Sequence, residues 1–388
     1  MPEVAVIGGG PIGCYAAKQL AGEGLDVLVL EEHPTIGEPV DCSGVIGRQA
    51  FDLFDFPRGI ILGEVRVLTL ISPSGLKLTH RPPHPLAFVV DRAAFDRALA
   101  ERARQAGATI QTGCRVLDLL KTERFVEVLV EEEEKRRTIR AQAAILAHGP
   151  RYRLQEKLGM GSPAALLRTA QVEIEVEGIE ATQVRFGRKI APGSFAWLVP
   201  FWRGEQYYAR IGVSATEPAA PYLQRQLEAL VRSGQVKGEV GKIRSWTIPI
   251  RPLPRTFTDR VLAVGDAAGQ AKPTTGGGLF YGLLCAQFAA ETLIEALQKG
   301  DLSARILSRY EARWRDRLGG EFRIGAFFRR LFEKMRDEEI DQAFRVVSSD
   351  GILAHLSRKA NFDWHKEAIL YVLRHPSLGR LFLTGLFR

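Results

Sequence analysis

The chain has 388 residues, of which 46% are hydrophobic, and a formal net charge of +8. This length predicts two or three domains, and no run of residues reaches the roughly 18 consecutive apolar positions of a membrane-spanning helix. The basic residues form no run interleaved with aromatic residues, so we expect no nucleic-acid partner.

The positive balance favours a solvated, ion-paired surface, and a basic face resting on anionic lipid headgroups is the alternative. The first predicted strand begins almost at Met1 and leaves no length for a signal peptide. We therefore expect a cytoplasmic protein, with a peripheral membrane contact left open. The four cysteines have neither metal-site spacing nor a disulfide framework, so we expect no metal site.

The N-terminal segment predicts a strand at residues 4–8, a helix at 11–23 and a parallel strand at 25–31. Gly8, Gly10 and Gly13 fit the pattern G-x-G-x-x-G at the first turn. In that pattern the first glycine allows a tight turn, the second admits a pyrophosphate, and the third permits close packing of helix on strand. Glu31 ends the second strand, where a carboxylate can bind a ribose hydroxyl.

The middle of the chain alternates between apolar and polar residues with a period of two, which predicts antiparallel strands. Asp91 is a suitable N-cap for a helix at 92–105. The remaining predicted elements are strands at 108–112, 115–120, 143–147 and 261–264, a hairpin of 125–130 with 137–140, a sheet within 168–250, and a helix at 222–233. Beyond residue 300 the chain is predicted to be helical, and Phe328, Leu331, Phe332 and Met335 share one face.

A second glycine-rich turn follows the predicted strand at 261–264. Gly265 and Asp266 come first, and Gly276, Gly277 and Gly278 then open an apolar helix. The carboxylate can accept hydrogen bonds from a sugar-like chain, and the helix N-terminus offers N–H donors and a positive dipole to an anionic reduced flavin ring. Together the two turns predict FAD as the cofactor.

These elements predict an α/β fold: a Rossmann-like FAD-binding domain with an inserted antiparallel-sheet substrate domain and a C-terminal helical region. The FAD-binding domain is predicted to be discontinuous, with residues 1–60, 86–167 and 251–300. The substrate domain is assigned residues 61–85 and 168–250, and the helical region residues 301–388. That last region is interpreted as a helical cap or a dimer surface, in preference to a membrane contact.

The turn at Gly8–Gly13, the pair Asp91-Arg92 before a helix, and Gly265-Asp266 resemble the FAD superfamily of p-hydroxybenzoate hydroxylase. Within it, the segments PVDCSG (39–44), FAWLVP (195–200) and KPTTGGG (272–278) are similar to the geranylgeranyl reductases. The resemblance implies saturation of isolated C=C bonds in isoprenoid chains. It also implies that Arg92 reaches the phosphate or ribityl region of FAD, that the Val116 backbone meets the adenine, and that Cys42 faces the flavin ring.

The family's substrate-cavity motif, Tyr-x-Trp-x-Phe-Pro-Lys, is altered in this chain. Trp197 and Pro200 match the motif, while Phe195, Val199 and Phe201 replace its Tyr, Phe and Lys. The resemblance implies that Phe195, Trp197 and Pro200 contact the substrate, and the substitutions make this wall more apolar. A strand packed into the core is the alternative interpretation.

Reduction of an isolated C=C bond requires a hydride at one carbon and a proton at its neighbour. An ordinary cysteine thiol, with a pKa near 8.5, is protonated at pH 7 and can act as the acid. Cys42 is our candidate proton donor. Tyr281 is a second candidate, although it could equally pack on its own helix.

Three functions remain open from the sequence. The first is an FAD-dependent reductase of a long-chain isoprenoid in lipid, quinone or pigment precursors, with ferredoxin, NADPH or a quinol as reductant. The second is an FAD-dependent aromatic monooxygenase or halogenase, which is disfavoured because His148 stands where the hydroxylases have an aspartate. The third is a flavoprotein that only passes electrons to quinone.

Overall fold

The computed structural model describes residues 1–349, 351–359 and 361–384. The chain forms two compact units, each built from three segments. Unit 1 comprises Met1–Val40, Arg92–Ala165 and Pro249–Phe322. Unit 2 comprises Asp41–Asp91, Leu166–Ile248 and Arg323–Arg388.

The strands of the described residues are numbered here in chain order. They are β1 Val4–Ile7, β2 Val27–Leu30, β3 Val45–Gly47, β4 Ile61–Val65, β5 Leu68–Ile71, β6 Lys77–His80, β7 Ala87–Val90, β8 Thr109–Gln111, β9 Arg115–Lys121, β10 Val126–Glu132, β11 Lys135–Ala141, β12 Ala143–Leu146, β13 Leu166–Glu175, β14 Thr182–Arg185, β15 Ala196–Arg203, β16 Gln206–Ala215, β17 Arg244–Pro249, β18 Phe257–Thr258 and β19 Val261–Ala263.

The helices of the described residues follow the same convention. They are α1 Pro11–Gly22, α2 Arg48–Phe54, α3 Arg92–Gln105, α4 Arg153–Lys157, α5 Ala220–Arg232, α6 Leu279–Gln298, α7 Ala304–Lys334, α8 Asp337–Ser349, α9 Ile352–Lys359, α10 Lys366–Arg374 and α11 Pro376–Thr384. Short 3₁₀ turns lie at Arg58–Ile60 and Gly265–Ala268.

Unit 1 is built on a six-stranded sheet in the order β18-β19-β12-β1-β2-β8. Its central strands are parallel, and β1 pairs with both β2 and β12. Every residue of β1 and β12 is buried, which accounts for their uninterrupted apolar sequences. The predicted βαβ unit is confirmed, with both strands slightly shorter than expected.

Helices α1 and α6 lie against each other beside this sheet. A Cβ added to Gly282 of α6 would lie 2.7 Å from Cδ1 of Ile12 in α1, so the glycine permits the close approach. Of the described helices, α6 alone is long and apolar enough to cross a membrane by length and composition. Because 67% of its apolar window is buried inside the fold, α6 is a core helix here.

Unit 2 contains a seven-stranded sheet in the order β17-β13-β16-β15-β14-β5-β6. Its strands pair mainly antiparallel, as predicted, and β14 pairs in parallel with β5. Helix α5 covers one face, where Leu223 and Leu227 are buried against the sheet. In the C-terminal segment, Leu331 and Met335 are buried in one cluster, with Phe328 and Phe332 packed against it, which confirms their predicted shared face.

The α/β class is confirmed, but the compact units divide the chain differently from the predicted domains in two places. Residues 41–60 and 86–91, predicted as FAD-binding, group with unit 2 because β3 and β4 both pair with β7. The predicted C-terminal region 301–388 is shared, because α7 up to Phe322 groups with unit 1, where Tyr310 and Trp314 are buried. Residues 350, 360 and 385–388 lie outside the described part of the chain.

Candidate functional site

The three motif glycines have different surroundings at the turn from β1 to α1. Gly8 has a φ of +107°, and a Cβ on it would lie 2.5 Å from the carbonyl oxygen of Ala147. A Cβ on Gly13 would lie 2.0 Å from the carbonyl oxygen of Gly8. A Cβ on Gly10 would meet nothing within 4 Å. The first and third glycines therefore serve packing, whereas the second leaves open space at the N-terminus of a 12-residue helix.

Glu31 lies directly after β2 and reaches this turn. Its Oε2 accepts a hydrogen bond from the backbone N–H of Gly9 at 2.7 Å. Its Oε1 accepts one from the backbone N–H of His33 at 2.9 Å and lies 2.6 Å from the His33 ring. The carboxylate is thus held beside the glycine turn, and its Oε2 keeps a further lone pair for a hydroxyl group.

Arg92 begins α3 and forms an ion pair that the sequence analysis did not include. Its Nε and Nη2 donate to the carboxylate of Asp96, one helical turn later, at 3.0–3.2 Å. Burial raises the pKa of Asp96, and the Arg92 guanidinium opposes that shift. An Arg and an Asp four residues apart on a predicted helix are the signal that could have identified this pair.

The second glycine-rich turn brings Asp266 next to the start of α6. A Cβ on Gly278 would lie 2.8 Å from Oδ1 of Asp266, so the absence of a side chain leaves this carboxylate room. Burial raises the pKa of Asp266 to about 6, and the positive charge of Arg92 counteracts part of the shift. Asp266, Arg92 and the N-terminus of α6 therefore form one electrostatic neighbourhood within unit 1.

A buried hydrogen-bond chain holds the turn that carries Asp266. The backbone N–H of Gly265 donates to Gln270 Oε1, and Gln270 Nε2 donates to the hydroxyl of Tyr310. That hydroxyl donates to the carbonyl of Ala263, and both side chains are fully buried. Neither residue is predicted from the sequence, because Gln270 is an ordinary polar residue of the turn and Tyr310 lies in a segment without any motif.

His148 lies just beyond β12, near both glycine turns. Burial lowers the pKa of His148 to about 4, so its ring is neutral at pH 7. Gln155 Nε2 lies 3.4 Å from the His148 ring and donates to the carbonyl of Ala267. A neutral imidazole cannot supply the negative charge of the aspartate that the hydroxylases have at this position.

The predicted substrate residues lie just before β15, at Phe195, and within it, at Trp197 and Pro200. Ala196 and Leu198 face the core beneath α5, whereas Trp197 packs with the cluster that contains Val199 and Phe201. Phe195 lies beside Trp197, with 6.1 Å between ring centroids. By strand alternation Pro200 lies on the face opposite Trp197, so the structure brings Phe195 and Trp197 together but not Pro200.

Cys42 is half-buried in the loop before β3, within unit 2. Its Sγ lies 3.4 Å from the backbone N–H of Gly44, which donates to it. Its carbonyl oxygen accepts a hydrogen bond from Gln171 Nε2 at 3.0 Å. No motif in the sequence marks Gln171, which is 7% exposed on β13.

Tyr281 and Val116, two further predicted residues, lie in packed positions of unit 1. Tyr281 is 1% exposed, its hydroxyl lies 3.5 Å from Glu321 Oε2, and its ring packs edge-on against Phe322. Val116 pairs with Val130 beside a β-bulge and packs against the core. The surroundings of Tyr281 favour the packing interpretation.

Two family models match the chain: an FAD binding domain over residues 62–319 and an NAD(P)-binding Rossmann-like domain over residues 6–44. The chain is 32% identical to a digeranylgeranylglycerophospholipid reductase of Methanocaldococcus jannaschii, over 98% of this chain and 97% of that one. It is also 32% identical to digeranylgeranylglycerophospholipid reductase 2 of Methanothermobacter thermautotrophicus, over 98% of each.

The fold itself is shared with a solved structure from Thermoplasma acidophilum, described as a geranylgeranyl bacteriochlorophyll reductase-like protein. The TM-score is 0.86 at 23% sequence identity, and the match covers 99% of both chains. The two relatives and this structure match nearly the whole length of the chain, including the segment beyond residue 300 that carried no recognisable motif.

Proposed function

Because the chain belongs to the geranylgeranyl reductase family of FAD-dependent oxidoreductases, we propose that it saturates the isoprenoid chains of a digeranylgeranylglycerophospholipid. The observation that carries this proposal is the similarity, over almost the full length, to two reductases named for that lipid. The apolar side chains at positions 199 and 201 of β15 support it, because a hydrocarbon chain requires an apolar wall.

The described residues of unit 1 fit FAD. The open space at Gly10 and the N-terminus of α1 suit a pyrophosphate, and the carboxylate of Glu31 suits a ribose. Asp266 and the start of α6 suit the ribityl chain and the flavin ring. When bound and reduced, FAD supplies the hydride. The proposed cofactor-binding residues are Gly8, Gly10, Gly13, Glu31, Cys42, Arg92, Val116, Gly265, Asp266, Gly276, Gly277 and Gly278.

We propose that Cys42 donates the proton that is added to the C=C bond. The C=C bond accepts a hydride at one carbon, and the S–H bond of Cys42 breaks as a C–H bond forms at the other. Water then returns a proton to the sulfur. Tyr281 is not assigned this role because its hydroxyl is buried beside Glu321. Phe195 and Trp197 are proposed to contact the hydrocarbon, and Pro200 is retained only through its place in the motif.

An anaerobic single-turnover experiment tests the function. The purified protein is reduced chemically and mixed with digeranylgeranylglycerophospholipid, and the lipid is analysed by mass spectrometry while flavin oxidation is followed by absorbance. We expect a gain of two hydrogens for each bond reduced, and no reoxidation with the fully saturated lipid. Unchanged lipid mass with persistently reduced flavin would refute the proposal, and NADPH-coupled oxygen uptake with an aromatic substrate would favour a monooxygenase.

The reductant and the cellular location belong to the same proposal. A reduced ferredoxin, NADPH and a quinol are the donor classes to compare, each by the rate at which it bleaches the flavin absorbance.

We assign the enzyme to the cytoplasm with a peripheral contact at the membrane, because its lipid substrate resides there.

A further inference from the structure

Side chains from neighbouring strands of unit 2 hold the backbone of the Cys42 loop. Gln171 of β13 donates to the Cys42 carbonyl at 3.0 Å. Arg210 of β16 donates through Nη1 to the Ser43 carbonyl at 2.9 Å. The next carbonyl, that of Gly44, accepts from the backbone N–H of Val90. Three consecutive carbonyls are thus held, so the main chain that carries the thiol is fixed in place.

The orientation of the Gln171 amide is set by Trp197. The indole Nε1–H of Trp197 donates to Gln171 Oε1 at 3.1 Å. An indole nitrogen can only donate, so the oxygen of the amide must face Trp197. The amide nitrogen of Gln171 must then face the Cys42 carbonyl. This network assigns the two ends of the amide without ambiguity.

Gly212 allows this contact across three strands. In the sheet register Gly212 of β16 lies opposite Gln171 on one side and opposite Trp197 on the other. A Cβ on Gly212 would lie 2.2 Å from Cζ2 of Trp197. The indole therefore lies over the bare backbone of Gly212, with its N–H reaching the far strand.

Two arginines share one carboxylate beside this network, because Arg203 and Arg210 both pair with Glu173. Arg210 Nε pairs with Glu173 Oε2 at 3.1 Å, and the guanidinium lies 4.7 Å from the centroid of Phe201. Gly44 accommodates this cation, because a Cβ there would lie 2.0 Å from Arg210 Nη1. Cys42, the proposed acid, thus lies on a loop whose backbone is held by hydrogen bonds from Gln171 and Arg210.

We propose that Trp197 and Gln171 are positioning residues that hold the Cys42 thiol for proton transfer. This inference rests on the proposed function of Cys42. The inference gives Trp197 a second role. Besides contacting the hydrocarbon with its ring, Trp197 orients the Gln171 amide, and that amide holds the Cys42 loop. Arg210 contributes by holding the adjacent carbonyl.

Two variants remove hydrogen bonds of this network and leave an apolar side chain in place. Trp197→Phe deletes the indole donor, and Gln171→Leu deletes both amide contacts. Trp202→Phe is the matched control, because Trp202 lies on the same strand but is 55% exposed. We expect single-turnover lipid reduction to slow about 10- to 100-fold in the first two variants and to stay unchanged in the control, since small displacements of a reacting group have effects of this size.

Alkylation of Cys42 provides a readout that does not depend on lipid reduction. Iodoacetamide labelling of the FAD-loaded protein is followed across pH by mass spectrometry of the Cys42 peptide. The other three cysteines are buried and serve as internal references. We expect Trp197→Phe and Gln171→Leu to change the pH profile of Cys42 labelling, while flavin content and the melting temperature stay close to those of the parent.

Gln171→Glu sharpens the test. A carboxylate accepts from Trp197 but cannot donate to Cys42, whereas the protonated acid can do both. Activity relative to the parent should therefore recover as pH falls, which a merely structural role would not produce. Parent-like labelling and turnover in all three variants would overturn the inference. Full turnover in Cys42→Ala would instead remove the acid role and leave the labelling result as a separate measure of the network.

Discussion

Gly10 and Gly13 belong to one motif, but the structure gives them different roles. A side chain at position 10 would enter open space, whereas one at position 13 would collide with the Gly8 carbonyl. Gly10→Ser keeps a good N-cap for α1. The free energy of unfolding of the flavin-free variant should therefore lie within about 1 kcal/mol of that of the parent. We expect FAD affinity to fall at least about tenfold, since the hydroxymethyl group occupies the proposed pyrophosphate space.

Gly13→Ser is the contrasting variant, and it should destabilise the flavin-free protein by about 3 kcal/mol or more. Urea unfolding and fluorescence titration with FAD measure the two effects separately. Parent-like FAD binding by Gly10→Ser would contradict the assignment of that glycine to the cofactor.

The raised pKa of Asp266 predicts that the stability of the flavin-free protein depends on pH in an unusual direction. Its pKa in the folded state is raised to about 6, above that of an ordinary aspartate, because of burial. The favourable contribution of this group is present at low pH and is lost as pH rises through about 6. Asp266→Asn should therefore gain stability relative to the parent between pH 4 and pH 7, by up to about 2 kcal/mol.

Denaturant unfolding of both proteins at a series of pH values checks this prediction. The difference between them cancels the titration of the other carboxylates. A difference that is constant across the range would show that Asp266 is not destabilised by its charge in the folded protein.

At the scale of residues, the sequence predicts groups that belong to a motif and misses the partners that fix them. The glycine turns and Glu31 follow from spacing alone. Gln171, Gln270 and Tyr310 do not, because each is an ordinary polar residue whose partner is distant in sequence. Pro200 shows the converse: its motif position suggested a shared wall, but strand alternation places it on the opposite face.

Helix α8 is fastened to the turn between β5 and β6 by one carboxylate. Asp341 Oδ1 accepts hydrogen bonds from the Ser72 hydroxyl and from the Ser74 backbone N–H and hydroxyl. Burial raises the pKa of Asp341, but these hydrogen bonds outweigh it, and the pKa lies below the usual value. The stabilising effect is therefore present above the ordinary aspartate pKa and is lost as pH falls through the lowered one.

We expect Asp341→Asn to lower the free energy of unfolding at pH 7 by about 1–3 kcal/mol, because charge-assisted hydrogen bonds are lost. The deficit should shrink as the solution is acidified below pH 4. Asp316→Asn, at an exposed position of α7, is the control and should leave stability unchanged. Equal effects of the two substitutions at pH 7 would contradict the role of Asp341.

The elements themselves were predicted well where local signals were strong. The helix at Arg92–Gln105 agrees with its prediction, and the predicted hairpin is confirmed with longer strands, which leave only Glu133 and Glu134, both at positive φ, in the turn. The helix at Ala304–Lys334 was anticipated only as part of a helical region. The division of this helix between the two compact units does not follow from the sequence. Burial along its 31 residues depends on which distant segments pack against it.

The whole molecule carries a net charge of +8, and this bears on how a lipid would be reached. In the described part of the C-terminal segment, apolar side chains are buried within the fold. Leu378 and Phe382 are buried, and Phe382 packs on Phe328. This arrangement supports a helical cap. A membrane contact would then be electrostatic and strongly dependent on salt.

We therefore expect the holoprotein to co-sediment with vesicles containing anionic lipid at low ionic strength and to be released at about 0.5 M salt, where screening is nearly complete. Vesicles of zwitterionic lipid are the control and should retain little protein. Binding that resists salt would contradict the electrostatic interpretation, and no binding at low salt would remove the membrane contact altogether.

At this scale the sequence established the α/β class and the flavin, because two glycine turns flank a parallel sheet. It did not establish how the chain is shared between compact units. Residues 41–60 follow the first nucleotide-binding segment directly, but β3 and β4 group with unit 2 through pairing with β7. Such pairing depends on long-range register, which no local pattern encodes.

Gly212 links two positions that would otherwise vary independently during evolution. Any chain of this family that acquires a side chain there must give up the broad aromatic ring at 197, and with it the donor to residue 171. Positions 171, 197 and 212 should consequently change together or not at all. Libraries aimed at new lipid specificities would retain more active members if they kept this trio intact and diversified 195 and 199 instead.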